Sequence, residues 1–319
     1  MKPSFERFSY ALRPAKNMER KMLCEAFARL ARIAPLPTYR YVGFGAIGFH
    51  DFTLFHQRLG IKHMISIEGE LDSQDRIDFN RPYSCIHMKW GMSYDILPTL
   101  TWTKRTILWL DYDRPFDQAK LADISLAAAS VRSGSVLVVT LPADPGDIDP
   151  GTDMAAKRLN DLKSRLGKDR VPNTIEGSTL AKWGMASAYQ QIIHNEIAAT
   201  LSNRNGALSA EGRVAYQQLF NFRYADGVRM VTVGGIFLNA ADRRALTAKH
   251  FKDLEFIRTD QTDYMIETPL LTLREIRYLD ERLPRSAPDV THPSWIPETE
   301  RRKYGRLYRY FPSFSEVES

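Results

Sequence analysis

The sequence predicts an α/β fold with a doubly wound sheet of about seven strands that ends in an antiparallel hairpin. Five short apolar segments each end in Gly, Asp, Pro or a polar turn, and helical sequence separates them. Two further strand-like segments flank Asp226-Gly227, a pair typical of tight hairpin turns. Strands that alternate with helices imply crossover connections, and therefore a parallel sheet covered on both faces.

The first helix and the five parallel strands follow one another from the amino end. Residues 17–33 form a predicted amphipathic helix, because apolar residues recur there at steps of three and four. The parallel strands are predicted at residues 39–44, 63–68, 84–89, 105–111 and 134–141. The segments "DFTLFHQRL" and "QAKLADISLAAASV" supply helices between them.

A Pro-, Gly- and Asp-rich segment interrupts this pattern after the fifth strand. Residues 142–176 are predicted to form an insertion, which is either a lid at the ligand-binding edge of the sheet or a solvated surface loop. A long helix, the hairpin and a helix in "TPLLTLREIRYLDERLP" follow, the last with Thr268 or Thr272 as N-cap and Pro284 as its stop. The predicted organisation is a helical extension at 1–38, the sheet domain at 39–240 and a helical basic region at 241–319.

Composition places the chain among globular proteins. It has 319 residues, 44% of them hydrophobic, which allows a large core. We expect a cytoplasmic protein without membrane contact, because no apolar run approaches about 20 residues and the amino end lacks an apolar secretion signal. Two cysteines, Cys24 and Cys85, form neither a disulfide framework nor a metal-ligand spacing. The net charge of +6 permits a polyanionic partner without requiring one.

The segment "GFGAIG" carries the clearest ligand-binding pattern. Gly43, Gly45 and Gly48 follow a predicted strand and precede a predicted helix, and Glu68 ends the next strand twenty residues beyond the last glycine. A carboxylate at that place can accept hydrogen bonds from both ribose hydroxyls of an adenine nucleoside. NAD and S-adenosylmethionine both meet this requirement, and the glycine pattern alone slightly favours NAD, whose pyrophosphate would lie at the helix amino terminus.

Four motifs in order make the chain resemble the class I S-adenosylmethionine-dependent methyltransferases over about residues 39 to 240. The motifs are "GFGAIG", "SIEGE", "KWGMSYD" and "LWLDYD", and the hairpin at the end of the sheet matches as well. The series "GFG…SIE…LDYD" is also similar to bacterial proteins described as O-methyltransferases, which implies nothing about the substrate. The resemblance implies a Rossmann-like fold, S-adenosylmethionine as cofactor and an undefined methyl acceptor.

The resemblance also implies roles for individual residues. Gly43, Gly45 and Gly48 would lie under the cofactor, and Glu68 would hold its ribose. Gly91 and Met92 would line the adenine, and Asp111 would lie at the mouth of the reaction crevice and contact the cofactor. The family usually has an acidic residue two places before the first glycine, and this chain has Tyr41 there. That departure keeps open a non-catalytic nucleoside- or nucleic-acid-binding component of a larger assembly, such as a bacterial defence system. An NAD-dependent oxidoreductase is a third alternative.

Candidate catalytic residues lie near the strand ends. Methyl transfer is an in-line displacement, and a base is needed only if the acceptor must lose a proton. Asp111, Asp113 and His50 are the candidates, although His50 is better explained as a packed helix-start residue and Asp51 as an N-cap. Asp111 ends an apolar strand, where a carboxylate is costly unless it is paired or used. Asp111 and Asp113 could together hold a divalent ion only if the strand has already turned, because residues two apart on an extended chain point to opposite faces; we predict no metal site.

The motif "DYD" differs from the Asn/Asp-Pro-Pro-Tyr/Phe signature of base amino-group methylation, which makes that acceptor less favoured and leaves oxygen and other nitrogen acceptors open. We favour an oxygen. Both ends of the chain are basic. The candidate contacts to an anionic substrate or nucleic acid are Arg13, Lys16, Arg20, Arg302, Arg306 and Arg309. For the amino end a charged helix surface is an equal alternative. For the carboxyl end we favour a tail that docks its aromatic face and leaves its arginines in solvent.

Overall fold

The computed structural model describes residues 13–144, 153–284 and 293–312, and within them eight strands form one sheet. The strands follow the spatial order β3-β2-β1-β4-β5-β7-β6-β8. Only β7 runs antiparallel to the others. Their bounds are β1 Arg40–Gly43, β2 His63–Glu68, β3 Ile86–Trp90, β4 Thr106–Asp111, β5 Val136–Pro142, β6 Ala215–Ala225, β7 Arg229–Leu238 and β8 Tyr264–Ile266. The predicted fold class is confirmed.

The strands β6 and β7 form the predicted hairpin. Its turn contains Asp226 and Gly227, and Gly227 has a φ of +94°, which a residue without a side chain adopts readily. The strand β8 was not predicted. It pairs in parallel with β6 for three residues, so the hairpin is not the outer edge of the sheet.

The helices cover both faces of the sheet. Their bounds are α1 Pro14–Ala28, α2 His50–Leu59, α3 Gln74–Phe79, α4 Ser93–Ile96, α5 Gln118–Ser130, α6 Met154–Leu166, α7 Gly184–Asn205, α8 Ala240–Ala245, α9 Leu273–Asp280 and α10 Glu298–Leu307. None of these described helices combines the length and the apolar character that a membrane span requires. Of the two predicted N-caps for α9, Thr272 is the one used, with Glu275 completing a capping box.

Some predicted segments begin or end elsewhere. The first helix starts earlier than predicted, with Pro14 in its first turn, and its predicted last turn is a 3₁₀ segment, Arg29–Arg32. In the predicted insertion, α6 buries Leu162 and Leu166. Residues 145–152 of that insertion lie outside the described residues, as do the ends of the predicted terminal regions.

Side chains alternate between two cores along the central strands. On β4, Ile107 and Trp109 belong to a core shared with α1, α2 and the carboxyl-terminal region. The intervening Leu108 and Leu110 belong to a core shared with α5 and α7. Because both faces are covered, these strands are apolar throughout, as the continuous apolar runs in the sequence indicated. The loops at the carboxyl ends of the strands remain available for a ligand.

The amino end of helix α1 is fixed to the sheet by a capping carboxylate from a distant part of the chain. The carboxylate of Asp226, in the β6–β7 turn, accepts hydrogen bonds from the backbone N–H groups of Ala15 at 3.3 Å and Lys16 at 2.9 Å. Two of the helix's otherwise unpaired amides are therefore satisfied from another part of the fold.

Removing this cap should destabilise the protein. We expect Asp226→Ala to lower the free energy of unfolding by about 1 kcal/mol, the usual effect of losing an N-cap acceptor. Urea unfolding followed by circular dichroism measures the change. The exposed Asp169 provides the control Asp169→Ala, which should leave the midpoint in place. Equal midpoints for Asp226→Ala and wild type would contradict the capping role.

Candidate functional site

A cavity of about 350 Å³ opens at the carboxyl ends of β1, β2, β3 and β4. This is the edge at which doubly wound sheets bind ligands, and the volume lies in the range of small-molecule sites, about 300–1,000 Å³. The residues singled out from the sequence that line it are Arg20, Gly45, Gly48, His50, Glu68, Gly91, Met92, Asp111 and Asp113.

The glycine turn forms one wall of the cavity. The Gly45 N–H donates a hydrogen bond to Ser66 Oγ at 3.0 Å, and a Cβ at Gly45 would lie 2.5 Å from that oxygen. A side chain therefore cannot be added without displacing Ser66. Two non-glycine residues of the turn, Ala46 and Phe49, have φ angles of 43° and 46°. Such strained left-handed conformations concentrate at ligand sites.

The first glycine of the motif has a different role from the one predicted. Gly43 is not among the described residues that line the cavity. A Cβ at Gly43 would lie 2.5 Å from Tyr41 Oη and 3.3 Å from the carbonyl oxygen of Trp109. Gly43 therefore makes room for the side chain of Tyr41, and any effect on a ligand is indirect.

Glu68 is the last residue of β2 and a buried wall of the cavity, with 9% of its surface exposed. Its Oε1 accepts a hydrogen bond from the Glu70 N–H at 3.1 Å. Burial raises the pKa of the Glu68 carboxyl, and the nearby charges of Glu70 and Asp113 act in the same direction. Asp113 itself is exposed, so it lies on the solvent side of this end of the cavity.

The next wall of the cavity comes from the loops that follow β2 and β3. A Cβ at Gly69 would lie 2.8 Å from Met92 Sδ, so the absence of a side chain at Gly69 lets Met92 pack over it. Gly91 has a φ of +142°, a conformation that side-chain-bearing residues rarely adopt. The site's turns after β1 and β3 therefore both depend on glycine.

A buried carboxylate supports the opposite wall, and the sequence did not reveal it. Asp123 Oδ2 accepts hydrogen bonds from Ser93 Oγ at 2.5 Å and Tyr112 Oη at 2.6 Å, and both donors line the cavity. Burial raises the pKa of Asp123. The available signal was an aspartate within the apolar sequence "LADISL".

Asp111 is the last residue of β4 and is held by α1. Its Oδ1 lies 2.7 Å from Lys16 Nζ, which also lies 2.8 Å from Glu19 Oε2 and 3.2 Å from Tyr224 Oη. The same ammonium group lies 4.5 Å from the ring centroid of Trp109. Lys16 is only 3% exposed, so it is not the direct substrate contact predicted; it fixes Asp111 at the cavity instead.

Glu19 completes this buried network and was not singled out from the sequence. It is fully buried and accepts hydrogen bonds from Thr232 Oγ1 and, at 3.1 Å, from Tyr224 Oη. Burial raises the pKa of Glu19, and the neighbouring Lys16 opposes that shift. The helix α1 therefore places an ion pair between the sheet and the cavity rather than presenting a charged surface.

The first turn of α2 contributes a second buried carboxylate. The N-cap of α2 is Phe49, so the prediction that Asp51 is an N-cap was wrong. Asp51 is 8% exposed, lines the cavity and accepts a hydrogen bond from Tyr41 Oη. Burial raises the pKa of Asp51, while the charge of Arg20 lowers it. His50 is the first residue of α2 and is exposed, and its ring lies beside Gly48, where a Cβ would be 2.6 Å from its Nε2.

The arginines near the carboxyl end lie elsewhere. They surround a second cavity of about 610 Å³ between β8, α9 and α10. Arg302 pairs with Glu298, Arg309 Nη2 lies 2.8 Å from Glu25 Oε1, and Arg306 stacks 4.8 Å from the ring centroid of Tyr264. The buried side chains of Tyr304 and Leu307 on α10, and of Tyr310 just after it, dock this segment on the domain. Phe314, also part of the predicted aromatic strip, lies outside the described residues.

The two basic ends therefore do not meet at one site. Arg20 lines the first cavity, whereas Arg13, at the N-cap of α1, is not part of its described lining. Within the described ranges, no three His, Cys, Asp or Glu side chains are grouped as a metal ion would require.

Comparison with known proteins identifies one family. Residues 8–319 match the protein family described as "Putative O-methyltransferase". No curated protein matches the chain significantly.

Several solved structures are loosely similar. Trm1 from Pyrococcus horikoshii with S-adenosyl-L-methionine shows 10% identity and a TM-score of 0.45, over 71% of this chain and 56% of that one. The O-methyltransferase from Bacillus cereus in complex with SAH shows 14% identity and a TM-score of 0.35, over 66% and 79%. The chain thus spans just over half the length of Trm1. TM-scores this low support no statement about the ligand of this chain.

Proposed function

The chain belongs to the "Putative O-methyltransferase" family, and on that basis we propose that its first cavity binds S-adenosylmethionine and directs methyl transfer to an oxygen of the acceptor. Glu68 is the observation that carries the cofactor assignment. A carboxylate is an acceptor-only group, and burial is costly unless its oxygens receive hydrogen bonds. Glu68 receives a backbone hydrogen bond on one oxygen and lines the cavity, which suits the two adjacent hydroxyl donors of a ribose.

The charges at the other end of the cavity favour this cofactor over NAD. A pyrophosphate would have to lie at the amino terminus of α2. Asp51 lies in that first helical turn and faces the cavity, so its carboxylate would repel a pyrophosphate, while Arg20 at the same end leaves a place for one negative charge beside a positive one. A sulfonium and an ammonium group are positive, and Asp51 and Asp111 would attract both.

We assign Asp111 as the general base that acts on the methyl acceptor. When bound, S-adenosylmethionine supplies an activated methyl group. Asp111 lines the cavity and would accept the proton that the acceptor hydroxyl loses as its oxygen forms the new bond to carbon. Lys16 Nζ, 2.7 Å from Asp111 Oδ1, orients this carboxylate.

The carboxyl-terminal arginines give no support to a nucleic-acid acceptor. Arg302 and Arg309 are paired with glutamates, and the cavity they line is separate from the proposed cofactor site. We therefore do not include nucleic-acid binding in the proposed function.

Calorimetric titration of the purified chain tests the proposal. We expect S-adenosylhomocysteine, the product form of the cofactor, to bind at one site per chain and NAD to give no heat of binding. Binding of NAD without binding of S-adenosylhomocysteine would overturn the assignment. Incubation of cell extract with methyl-labelled cofactor then separates an enzyme, which labels an acceptor, from a non-catalytic binding component, which does not.

A further inference from the structure

Arg20 places a buried cation at the cavity, and none of the described carboxylates forms an ion pair with it. Its side chain reaches the cavity from α1 and only 8% of the residue is exposed. Its Nε is buried and has no hydrogen-bond partner, and no ion pair joins the guanidinium to a carboxylate within the described part of the chain. Burying an uncompensated charge costs several kcal/mol in general, which points to a ligand that brings an anion to this position.

Asp51 places an anion at the same end of the cavity. It is as deeply buried as Arg20, and the hydrogen bond from Tyr41 Oη engages only its Oδ2. Arg20 is close enough to lower the pKa of Asp51, yet the two form no hydrogen bond. The cation and the anion therefore face one space, each with hydrogen-bonding capacity left over.

This end of the cavity lies away from Glu68. In the sheet, Tyr41 is on β1 and Asp111 ends the adjacent β4, whereas Glu68 ends β2 on the other side of β1. A nucleoside anchored at Glu68 would extend its 5′ substituent toward Arg20 and Asp51.

We propose that Arg20 and Asp51 form a subsite for an α-amino-acid group, the methionine portion of S-adenosylmethionine. Arg20 binds the carboxylate and Asp51 binds the ammonium group. Tyr41 is a positioning residue, because its hydroxyl holds Asp51 at the cavity. The acidic function that is absent at residue 41 is thus supplied from α2. This inference rests on the proposed function, since the site must first bind the cofactor.

The experiment compares ligands that differ only at the amino-acid end. S-adenosylhomocysteine carries both charged groups, its decarboxylated analogue carries only the ammonium, and 5′-methylthioadenosine carries neither. The affinities are measured by calorimetry for wild type, Arg20→Gln and Asp51→Asn. The asparagine can still accept the Tyr41 hydrogen bond, so that change removes mainly the charge.

Arg20→Gln should weaken S-adenosylhomocysteine about tenfold or more, the effect of losing a charged hydrogen bond, and leave the other two ligands unchanged. Asp51→Asn should weaken both ligands that carry an ammonium group and spare 5′-methylthioadenosine. Tyr41→Phe should follow Asp51→Asn, whereas a purely structural role would weaken all three ligands equally. The exposed Arg302 supplies the control Arg302→Gln, which should change none of these affinities.

Failure of the amino-acid subsite and failure of the proposed function give different binding results. If wild type binds S-adenosylhomocysteine and Arg20→Gln keeps the same preference for it over 5′-methylthioadenosine, the subsite is overturned while the proposed function stands. That result is also expected if Arg20 binds a carboxylate on the acceptor instead. If wild type binds neither ligand, the proposed function fails first.

Discussion

Glu68→Ala is expected to weaken the binding of S-adenosylhomocysteine by a factor of about 100. The substitution removes the acceptor for two ribose hydroxyls, and hydrogen bonds to a charged group contribute about 1.5 kcal/mol or more each. The sum, about 3 kcal/mol, corresponds to about two powers of ten in the dissociation constant. Calorimetric titration measures it, and circular dichroism confirms that the variant is folded.

The neighbouring Glu70 provides a matched control. It also lines the cavity, but its contribution to Glu68 comes from its backbone N–H, which Glu70→Ala retains. We expect Glu70→Ala to change the affinity by no more than a few fold. A folded Glu68→Ala variant that binds as tightly as wild type would remove Glu68 from the site.

Lys16→Met is expected to lower the free energy of unfolding by about 3–5 kcal/mol, the usual cost of removing one partner of a buried ion pair. Methionine keeps much of the apolar stem near Trp109, so the loss is mainly electrostatic. Glu19, which is fully buried, would then lack the one cation that pairs with it among the described residues, and Asp111 would lose its anchor. Urea unfolding measures the change.

The effect should depend on pH in a defined direction. Burial already raises the pKa of Glu19, and removal of Lys16 removes the charge that opposes the shift. When the pKa of a carboxyl is higher in the folded state than in the unfolded state, the free energy of unfolding falls as pH rises from the unfolded-state pKa through the folded-state pKa. The destabilisation by Lys16→Met should therefore be larger at pH 8 than at pH 5.

A double variant separates charge from packing. Adding Glu19→Gln to Lys16→Met removes the unpaired carboxylate and should restore part of the lost stability at pH 8. Equal destabilisation at pH 5 and pH 8, with no recovery in the double variant, would contradict the electrostatic explanation of this network.

Local patterns were sufficient for most of the fold. The strands β1 to β5 and the hairpin were predictable because each is an apolar run bounded by turn residues, and alternation with helices implies a parallel sheet. The strand β8 was not, because three residues carry no periodic signal and the strand exists through pairing with the distant β6. The early start of α1 depends on Asp226, more than two hundred residues away.

The site was predictable to the extent that its residues end strands or form glycine turns. Glu68, Gly45 and Asp111 converge because the carboxyl ends of parallel strands share one edge of the sheet. Glu19 and Asp123 were missed because a charged residue in a helix usually faces solvent, and only the fold brings their partners close. The local sequence gives at most a weak sign of such contacts, such as the aspartate within the apolar segment "LADISL".

The most direct test of the cofactor site is the electron density of crystals grown with S-adenosylhomocysteine. We expect the ligand in the cavity at the ends of β1 to β4, with both ribose hydroxyls within about 3 Å of the Glu68 carboxylate. A ligand bound elsewhere on the chain, or one whose ribose does not contact Glu68, would contradict the assignment of this cavity as a methyl-donor site.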